Sequence, residues 1–432
     1  MMKRLPILWL LMSACLEPVD EAAFIAGRSS RVCYVAKTGN DANPGTKAKP
    51  WLTIRHAANT VVAGDTVLVG SGTYDDGDTM FFAGAVGTAS APIVFKSLDR
   101  RAATITTELY FKQKHYVMQG FRLLYSRRWA SQAFKFDADS CALLDCEVAN
   151  RATAGVGVLI GSGYHHGIRV DRNYIHGFVS HGIYANQMRN GEVTHNIVEG
   201  NQYGIHAYPS VESSEISYNL CRDNRQAGIV LHGYNNRVAY NICYRNGQSG
   251  VYLYSDRFFT ENYGNDVRNN TCYDNNWCGI WVSGHGPNSI RNNISLGNRW
   301  CDQSGQLFID TSAATRVTLD RNCYWSDGDD SYGYAFCWNG TAWQSHGSWS
   351  QYRMATGQDS SGLCVDPMFA DTASHSFRLA PGSPCLFVGD PNTPAGVDFY
   401  GNSTPAPGQS RVSIGAVEYV GLVGNLTGRN FR

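Results

Sequence analysis

Charge is scarce in this chain. Asp, Glu, Lys and Arg make up 17% of its 432 residues, against roughly a quarter in an ordinary soluble domain. The charge present is balanced, with 36 basic and 36 acidic residues. Without a basic excess, nucleic-acid recognition through bulk charge is excluded. Long apolar runs are missing too. Only Leu5 to Ala14 resembles a membrane segment, and about ten residues fall well short of the roughly 20 that span a bilayer as a helix. No two cysteines stand at Cys-x-x-Cys spacing and no His-x3-His partner accompanies a pair, so the usual zinc signatures are absent. The expectation is a protein without cofactor, metal or nucleic-acid partner. What the chain does have is 45 glycines, 24 tyrosines, 18 phenylalanines and 10 tryptophans, a composition suited to turns and strands.

Met1 to Cys15 reads MMKRLPILWLLMSAC: a basic start, a short apolar run, then small residues before a cysteine. That is the order of a secretory signal, and export to the medium or cell surface is expected. The Met-Ser-Ala-Cys ending resembles a bacterial lipoprotein signal, in which Cys15 becomes the lipidated first residue and attaches the protein to the outer membrane. Ordinary cleavage near Ala14 is the competing reading. Either cut removes Lys3 and Arg4 and leaves 34 basic against 36 acidic residues, a net charge of −2. Residues 16–31 read as a tether. Twelve further cysteines are an even number, which an exported chain can keep oxidised. Cys323 with Cys337 and Cys364 with Cys385 are the expected pairs, in the loop-rich end of the chain.

The main signal is a repeat. Asn173, Asn196, Asn219, Asn241, Asn270, Asn293 and Asn322 follow one another at 23, 23, 22, 29, 23 and 29 residues. A second marker, Gly-Ile or Gly-Val, recurs at Gly182, Gly204, Gly228, Gly250 and Gly279, at 22, 24, 22 and 29. Both series stretch together near Gly250 to Gly279, which places an insertion within Tyr254 to Asp266. Strand-sized pieces such as Glu215 to Tyr218 and Gly228 to Leu231 make this a solenoid of strands. The Leu-x-x-Leu-x-Leu frame of leucine-rich repeats is absent. In a parallel β-helix each repeat is one coil, and coils stack at about 4.8 Å. Asn at one inward turn position can then bond to its copies above and below. Cys221, Cys243 and Cys272, two residues after their asparagines, share a register with Ile175, Val198 and Ser295 and read as buried packing thiols.

With these repeats in view, the chain resembles the right-handed parallel β-helix family that includes pectate-lyase-like and chondroitinase-like polysaccharide lyases. Tyr34-Val35, Gly39 to Asp41, Asn43 to Thr46, Pro50-Trp51, Thr53-Ile54, Ala57-Ala58, Gly64 to Val67 and Gly72 to Tyr74 are similar to that family's opening cap. Asp366-Pro367, Phe369, Phe377 to Leu379, Ser383-Pro384, Ile414 to Ala416 and Glu418-Tyr419 are similar to its closing segment. The resemblance implies an all-β single domain over 32–419, with an N-terminal cap and first coils at 32–100, main coils at 101–330 and a C-terminal cap at 331–419. About ten coils are expected, and residues 420–432 form a tail. The family's calcium-dependent members place acids on one coil beside a Lys or Arg base. No such cluster is evident in this sequence.

Strand alternation then sorts the residues after each Gly-Ile. Ala185, Ala207, Leu231, Leu253 and Val282 point inward. One outward column holds Tyr184, His206, Val230, Tyr252 and Trp281, and a second holds Asn186, Tyr208, His232, Tyr254 and Ser283. Aromatic faces stack on sugar C–H surfaces, and hydroxyls and imidazoles bond sugar polar groups. Aromatic pairing for sheet stability is the bland alternative. The leading expectation is β-elimination on an acidic, uronate-containing glycan. His206 or His232 would be the base, Tyr208 or Tyr254 the acid, and Arg257 or Arg225 the carboxylate partner. Tyr184, Asn186, Tyr252, Trp281, Asp256 and Glu261 would bind substrate. A hydrolase would need two facing carboxylates, with Glu212, Asp256 and Glu261 as the nearby candidates. An epimerase, a glycan-binding adhesin and a structural solenoid are the other readings. His165 and His166 read as surface turn residues, and a monomer is expected.

The leader generates one test. Cys15→Ser is expected to shift the protein from the membrane fraction to the soluble fraction, because acyl chains supply the anchor. Identical fractionation of mutant and parent removes the lipid.

Overall fold

In the computed structural model, each repeat folds into one coil of three short strands. Residues 30–420 are described, except 78, 126–130, 152–154, 162, 256–261, 285, 299–304, 327–335, 340 and 344–348. Strands of successive coils pair in parallel into sheets of 12, 11 and 14 strands, here A, B and C. Sheet A runs from Val32–Val35 to Val317–Asp320 and sheet B from Gly72–Tyr74 to Cys323–Trp325. Sheet C runs from Thr79–Phe82 to Phe336–Trp338 and is closed by an antiparallel strand, Thr341–Trp343. The chain visits A, B and C in turn, giving the expected all-β right-handed parallel β-helix.

The interior is built from columns of one residue type per coil. Val170, Val193, Ile216, Val238, Val267 and Ile290 stack on sheet A, all fully buried. Ile183, Ile205, Ile229, Val251 and Ile280 do so on sheet C. On sheet B the column is Val198, Cys221, Cys243, Cys272 and Ser295. The three cysteines are buried free thiols, and burial pushes those of Cys243 and Cys272 well above the ordinary range.

Between sheets A and B the turns from Arg172 to Asn322 share one two-residue plan. The first is left-handed: Arg172, His195, Tyr218, Tyr240, Asn269, Asn292 and Arg321 have φ between 51° and 61°. A non-glycine residue there costs roughly 1–2 kcal/mol. The second residue, the repeating Asn, offsets that cost. Asn219 Oδ1 accepts from the backbone N–H and the Nδ2 of Asn196, both at 3.0 Å. Its own Nδ2 donates to Asn241 Oδ1 at 3.0 Å and to the Val193 carbonyl at 2.8 Å. The ladder runs from Asn173 to Asn322 and ends on the buried carboxylate of Asp359, which accepts from Asn322 Nδ2 at 2.8 Å and from Tyr324 at 3.0 Å. Burial pushes Asp359 up to about 6.

Two more ladders stand at the other corners. Asn201, Asn224, Asn246, Asn275 and Asn298 form one, closed by Gln306. Asn236, Asn265 and Asn288 form the other, approached by Ser214. The first of these lies five residues after the main series and the second five residues before it.

Both ends are closed. The helix Ile54–Thr60, capped by Thr53, buries Ile54, Ala57 and Ala58. Asp41 accepts from Thr53 Oγ1 at 2.8 Å, and the Trp51 indole donates to the Asn43 carbonyl at 2.8 Å, so the opening motif is structural. At the far end, Tyr352 of the helix Trp349–Thr356 stacks on Phe336 at 4.7 Å. The chain then returns along sheet B. Asn269 Nδ2 donates to the Ser413 carbonyl, Asn292 Nδ2 to Thr393, and the Ala416 N–H to Thr271 Oγ1.

That return path corrects the disulfide expectation. Cys323, Cys337 and Cys385 carry free thiols, so neither the Cys323–Cys337 nor the Cys364–Cys385 bond is formed. The returning segment instead lays Cys385 against Cys323, while Cys337 faces outward on sheet C beside Phe308. His165 also departs from its surface assignment. It is buried, in a short strand with His166 that pairs with Met188–Arg189.

Asn219→Ala removes two acceptor contacts and three donor contacts in the interior. It is expected to destabilise by roughly 1–3 kcal/mol for each group left unpaired. A thermal midpoint equal to that of the parent would exclude a structural role for the ladder.

Candidate functional site

The three outer faces differ in what covers them. On sheet A the outward residues are charged and paired, with Arg169–Glu192 at 3.5 Å, Arg237–Glu215 at 3.5 Å and Arg291–Asp266 at 3.3 Å. On sheet B, Ile242, Tyr244, Ile294 and Leu296 point outward but are buried beneath the C-terminal segment and its Phe377, Phe399, Ile414 and Ala416. Sheet C carries aromatic residues and has no such cover among the described residues.

Its first column is in the expected register: Tyr184, His206, Val230, Tyr252 and Trp281, continued by Phe308. Tyr252 and Trp281 stack at 4.1 Å, with Trp277 edge-on to Trp281 at 4.7 Å. Two residues missed in the sequence join the strip. His181 stacks on Tyr184 at 4.7 Å and on Tyr203 at 5.2 Å, and contacts His206 at 4.9 Å. They immediately precede Gly182 and Gly204, where the backbone leaves the corner and strict alternation has not begun.

The second column departs from simple alternation. The strand Tyr203–Glu212 pairs Ala207 with Leu231 and next Val211 with Gly233. Tyr208, Pro209 and Ser210 therefore stand opposite His232 alone. Pro209 has no N–H to continue the ladder, and the two extra residues are those that lengthen the Gly204 to Gly228 spacing to 24. Tyr208 leans over His232, at 5.4 Å, and reaches Tyr254 at 5.9 Å. His232 is consequently 0% exposed, although its strand position is outward. Its Nδ1 contacts the Pro209 carbonyl. A carbonyl only accepts, so Nδ1 carries the proton and Nε2 is the nitrogen able to accept one.

Tyr208, His232 and Tyr254 thus come together, with His206 5.5 Å from Tyr208 on the other side. Asn186 is half-buried on the same face one coil earlier. Arg225 is exposed at the B–C corner, its N–H bonded to the Asn201 carbonyl at 2.8 Å, at the opposite end of the strand from this group. Glu212 is occupied by Arg189 at 2.6 Å and by the Tyr234 hydroxyl at 2.9 Å. Asp256, Arg257, Glu261 and Cys15 lie outside the described residues.

Burial sets the chemistry of the imidazoles. It lowers His206 to about 3 and His181 to about 4; His206 Nδ1 has no protein partner among the described residues. Both rings are neutral at neutral pH. They act as hydrogen-bonding and stacking surface, and so weak a base makes His206 the poorer candidate for proton removal. Their folded values lie below the ordinary value of about 6.5, so the unfolded chain binds protons first and stability falls as the pH drops through that value toward 4. Histidine NMR titration should place both midpoints more than a unit below the ordinary value. Ordinary midpoints would mean that the rings are solvated.

A model of the right handed beta helix region matches residues 133–236 and 156–324, and one described as a protein of unknown function (DUF1565) matches residues 37–83. An uncharacterized protein of Bacillus subtilis (strain 168), YwoF, is 36% identical over 75 residues, which is 17% of this chain and 15% of that protein. The chain therefore matches only a small part of that relative's length. Among solved structures, pectate lyase Pel9A superposes with a TM-score of 0.55 and 16% identity, over 91% of this chain and 98% of that one. A mannuronic acid specific family 6 lyase from human gut microbiota gives a TM-score of 0.46 and 12% identity, over 69% and 76%. At these identities the likeness is one of fold. Coil register, corner ladders and the family match over residues 133–324 together give the chain a right-handed parallel β-helix fold, similar to that of the pectate lyase.

Proposed function

We propose that the chain is an exported carbohydrate-active protein that binds an acidic glycan along sheet C and cleaves it by β-elimination. The observation that carries this reading is the division of the faces: sheet A is neutralised by ion pairs and sheet B is sealed, whereas sheet C presents stacked aromatics. Coils about 4.8 Å apart match the length of a sugar ring, so a polymer can lie along the axis with a ring near each coil. One fold neighbour is by name a pectate lyase, and pectate is a uronate polymer.

In the proposed reaction His232 Nε2 takes the proton beside the uronate carboxyl group. The C–H electron pair becomes the new double bond, the bond to the leaving glycosidic oxygen breaks, and Tyr208 or Tyr254 returns a proton to that oxygen. A fixed Nδ1–H orients the base in the way a carbonyl orients many reactive histidines. Attachment through a lipid on Cys15 would hold this face at the cell surface. A second reading, non-catalytic glycan binding, is supported by the Tyr208–Pro209 cover over His232, which must part before substrate reaches Nε2.

The test is incubation with a panel of uronate polymers, read by the ultraviolet absorbance of the unsaturated product. Tyr208→Phe keeps the ring and removes the proton donor. A loss of about 10²-fold or more in turnover is expected, with a thermal midpoint near the parent's. Unchanged turnover would clear Tyr208. Binding without new absorbance, reducing ends or epimerised sugar would favour the adhesin.

A further inference from the structure

Past the bulge, sheet C bends into a second, narrower ladder. His165–His166 pairs with Met188–Arg189, Arg189 with Glu212, Glu212 with Tyr234, and Tyr234 with Tyr263. The resulting ridge runs parallel to the column of Tyr208, His232 and Tyr254. His232 and Tyr234 are two residues apart on one strand, about 7 Å, so the ridge borders the proposed reaction site directly.

The ridge holds one guanidinium in a fixed orientation. Arg189 Cζ lies 4.0 Å from the Tyr164 ring, and Nε lies 2.6 Å from Glu212 Oε2. The Tyr234 hydroxyl donates to the same Glu212 oxygen at 2.9 Å, and its ring stacks on Tyr263 at 5.1 Å. A guanidinium has five N–H donors in a planar fork. Its ion-pair contact with Glu212 leaves donors over, and the Arg189 side chain is 33% exposed. Tyr164 and Tyr263, at 46% and 37%, are among the most exposed aromatic residues described. Other described cations are worse placed. Lys112 and Lys135 share Asp137 in earlier coils of sheet C, Arg225 is at the far edge, and the arginines of sheet A face away.

We propose that Arg189 is the carboxylate-recognising residue of this face, with Tyr164 and Tyr263 as flanking sugar platforms and Glu212 as its positioning residue. This rests on the glycan reading of sheet C and names what selects an acidic sugar there. Because Arg189 and Glu212 cancel in charge, selection comes from directional, charge-assisted hydrogen bonds. A carboxylate held against the guanidinium also carries the negative charge that grows when the adjacent proton leaves.

The experiment titrates parent, Arg189→Gln and Arg189→Lys with an oligouronate and with the same oligomer after carboxyl reduction. The parent is expected to prefer the oligouronate by about tenfold or more. Arg189→Gln should lose that preference while binding the neutral oligomer as the parent does. Arg189→Lys should fall between them, because charge remains and the fork is gone. If Arg189→Gln keeps the preference, or the parent binds both oligomers equally, Arg189 is not the selector and the glycan reading survives. If the parent binds neither oligomer, the glycan reading of sheet C falls and Arg189 falls with it.

Discussion

A buried side-chain amide that bonds to its own copy one coil away is the interaction on which this structure depends. A solenoid whose coil has three corners must bury turn backbone at every corner, and unpaired backbone groups are costly there. Asparagine answers this with one acceptor and two donors. Its oxygen takes two N–H groups from one neighbouring coil, and its nitrogen gives to the other neighbour and to a carbonyl. The contact requires the corner residue before it to be left-handed, and Tyr218 and His195 accept that conformation. Since each Asn within the series bonds to its copies in register on the neighbouring coils, the ladder fixes coil height and strand phase together. Where the series ends, Asp359 substitutes for the next amide and Tyr324 and Tyr352 supply it with donors.

The lattice fixes phase at the corners but leaves the outer faces open to different uses. Outward Ile242, Ile294 and Leu296 would be a liability on a free surface, and the C-terminal segment removes them from water. Apolar outward residues on sheet B are thus explained by the segment that follows the last coil and returns along the sheet. The aromatics of sheet C have no comparable cover among the described residues, and its outer rows hold rings that stack on one another along the axis. Their mutual stacking stabilises the sheet and also forms a continuous apolar strip edged by hydroxyls and imidazoles.

Much of this was legible in the sequence because a period is a strong signal. Asn196 to Asn219 to Asn241 gave the coil, and alternation after each Gly-Ile placed Tyr184, His206, Tyr252 and Trp281 in one column. Two further ladders keep a constant offset of five residues from the first, at corners that the Gly-Ile marker, a strand signal, does not report. Cys323 could not be paired from spacing, since its neighbour Cys385 arrives by a fold-back whose path no local pattern encodes. Arg189 was invisible for a related reason, because it lies on a short ladder that exists only after the strand has bent. His232 was placed on the right strand and the right side, but its cover was missed: Pro209 and a spacing of 24 between neighbours of 22 were the available signs.

Those irregular spacings also show how a repeating lattice accommodates chemistry. Two extra residues at Tyr208 to Ser210 would shift every later coil if the register were free to slip. It recovers at once: Val211 pairs with Gly233, the Ser214 N–H donates to Asn236 and the Asn219 N–H to Asn241. The same holds for the repeat of 29, where Asn241 still meets Asn270 at 3.0 Å. Because the ladders reset the phase within a few residues, an insertion costs little beyond its own loop entropy, which grows slowly with length. The first of these insertions is the bulge at Tyr208 to Ser210 within sheet C, and the second begins after Tyr254, two coils on. The rigid corners therefore permit variation beside that face, and function is expected where variable loops stand on a rigid scaffold.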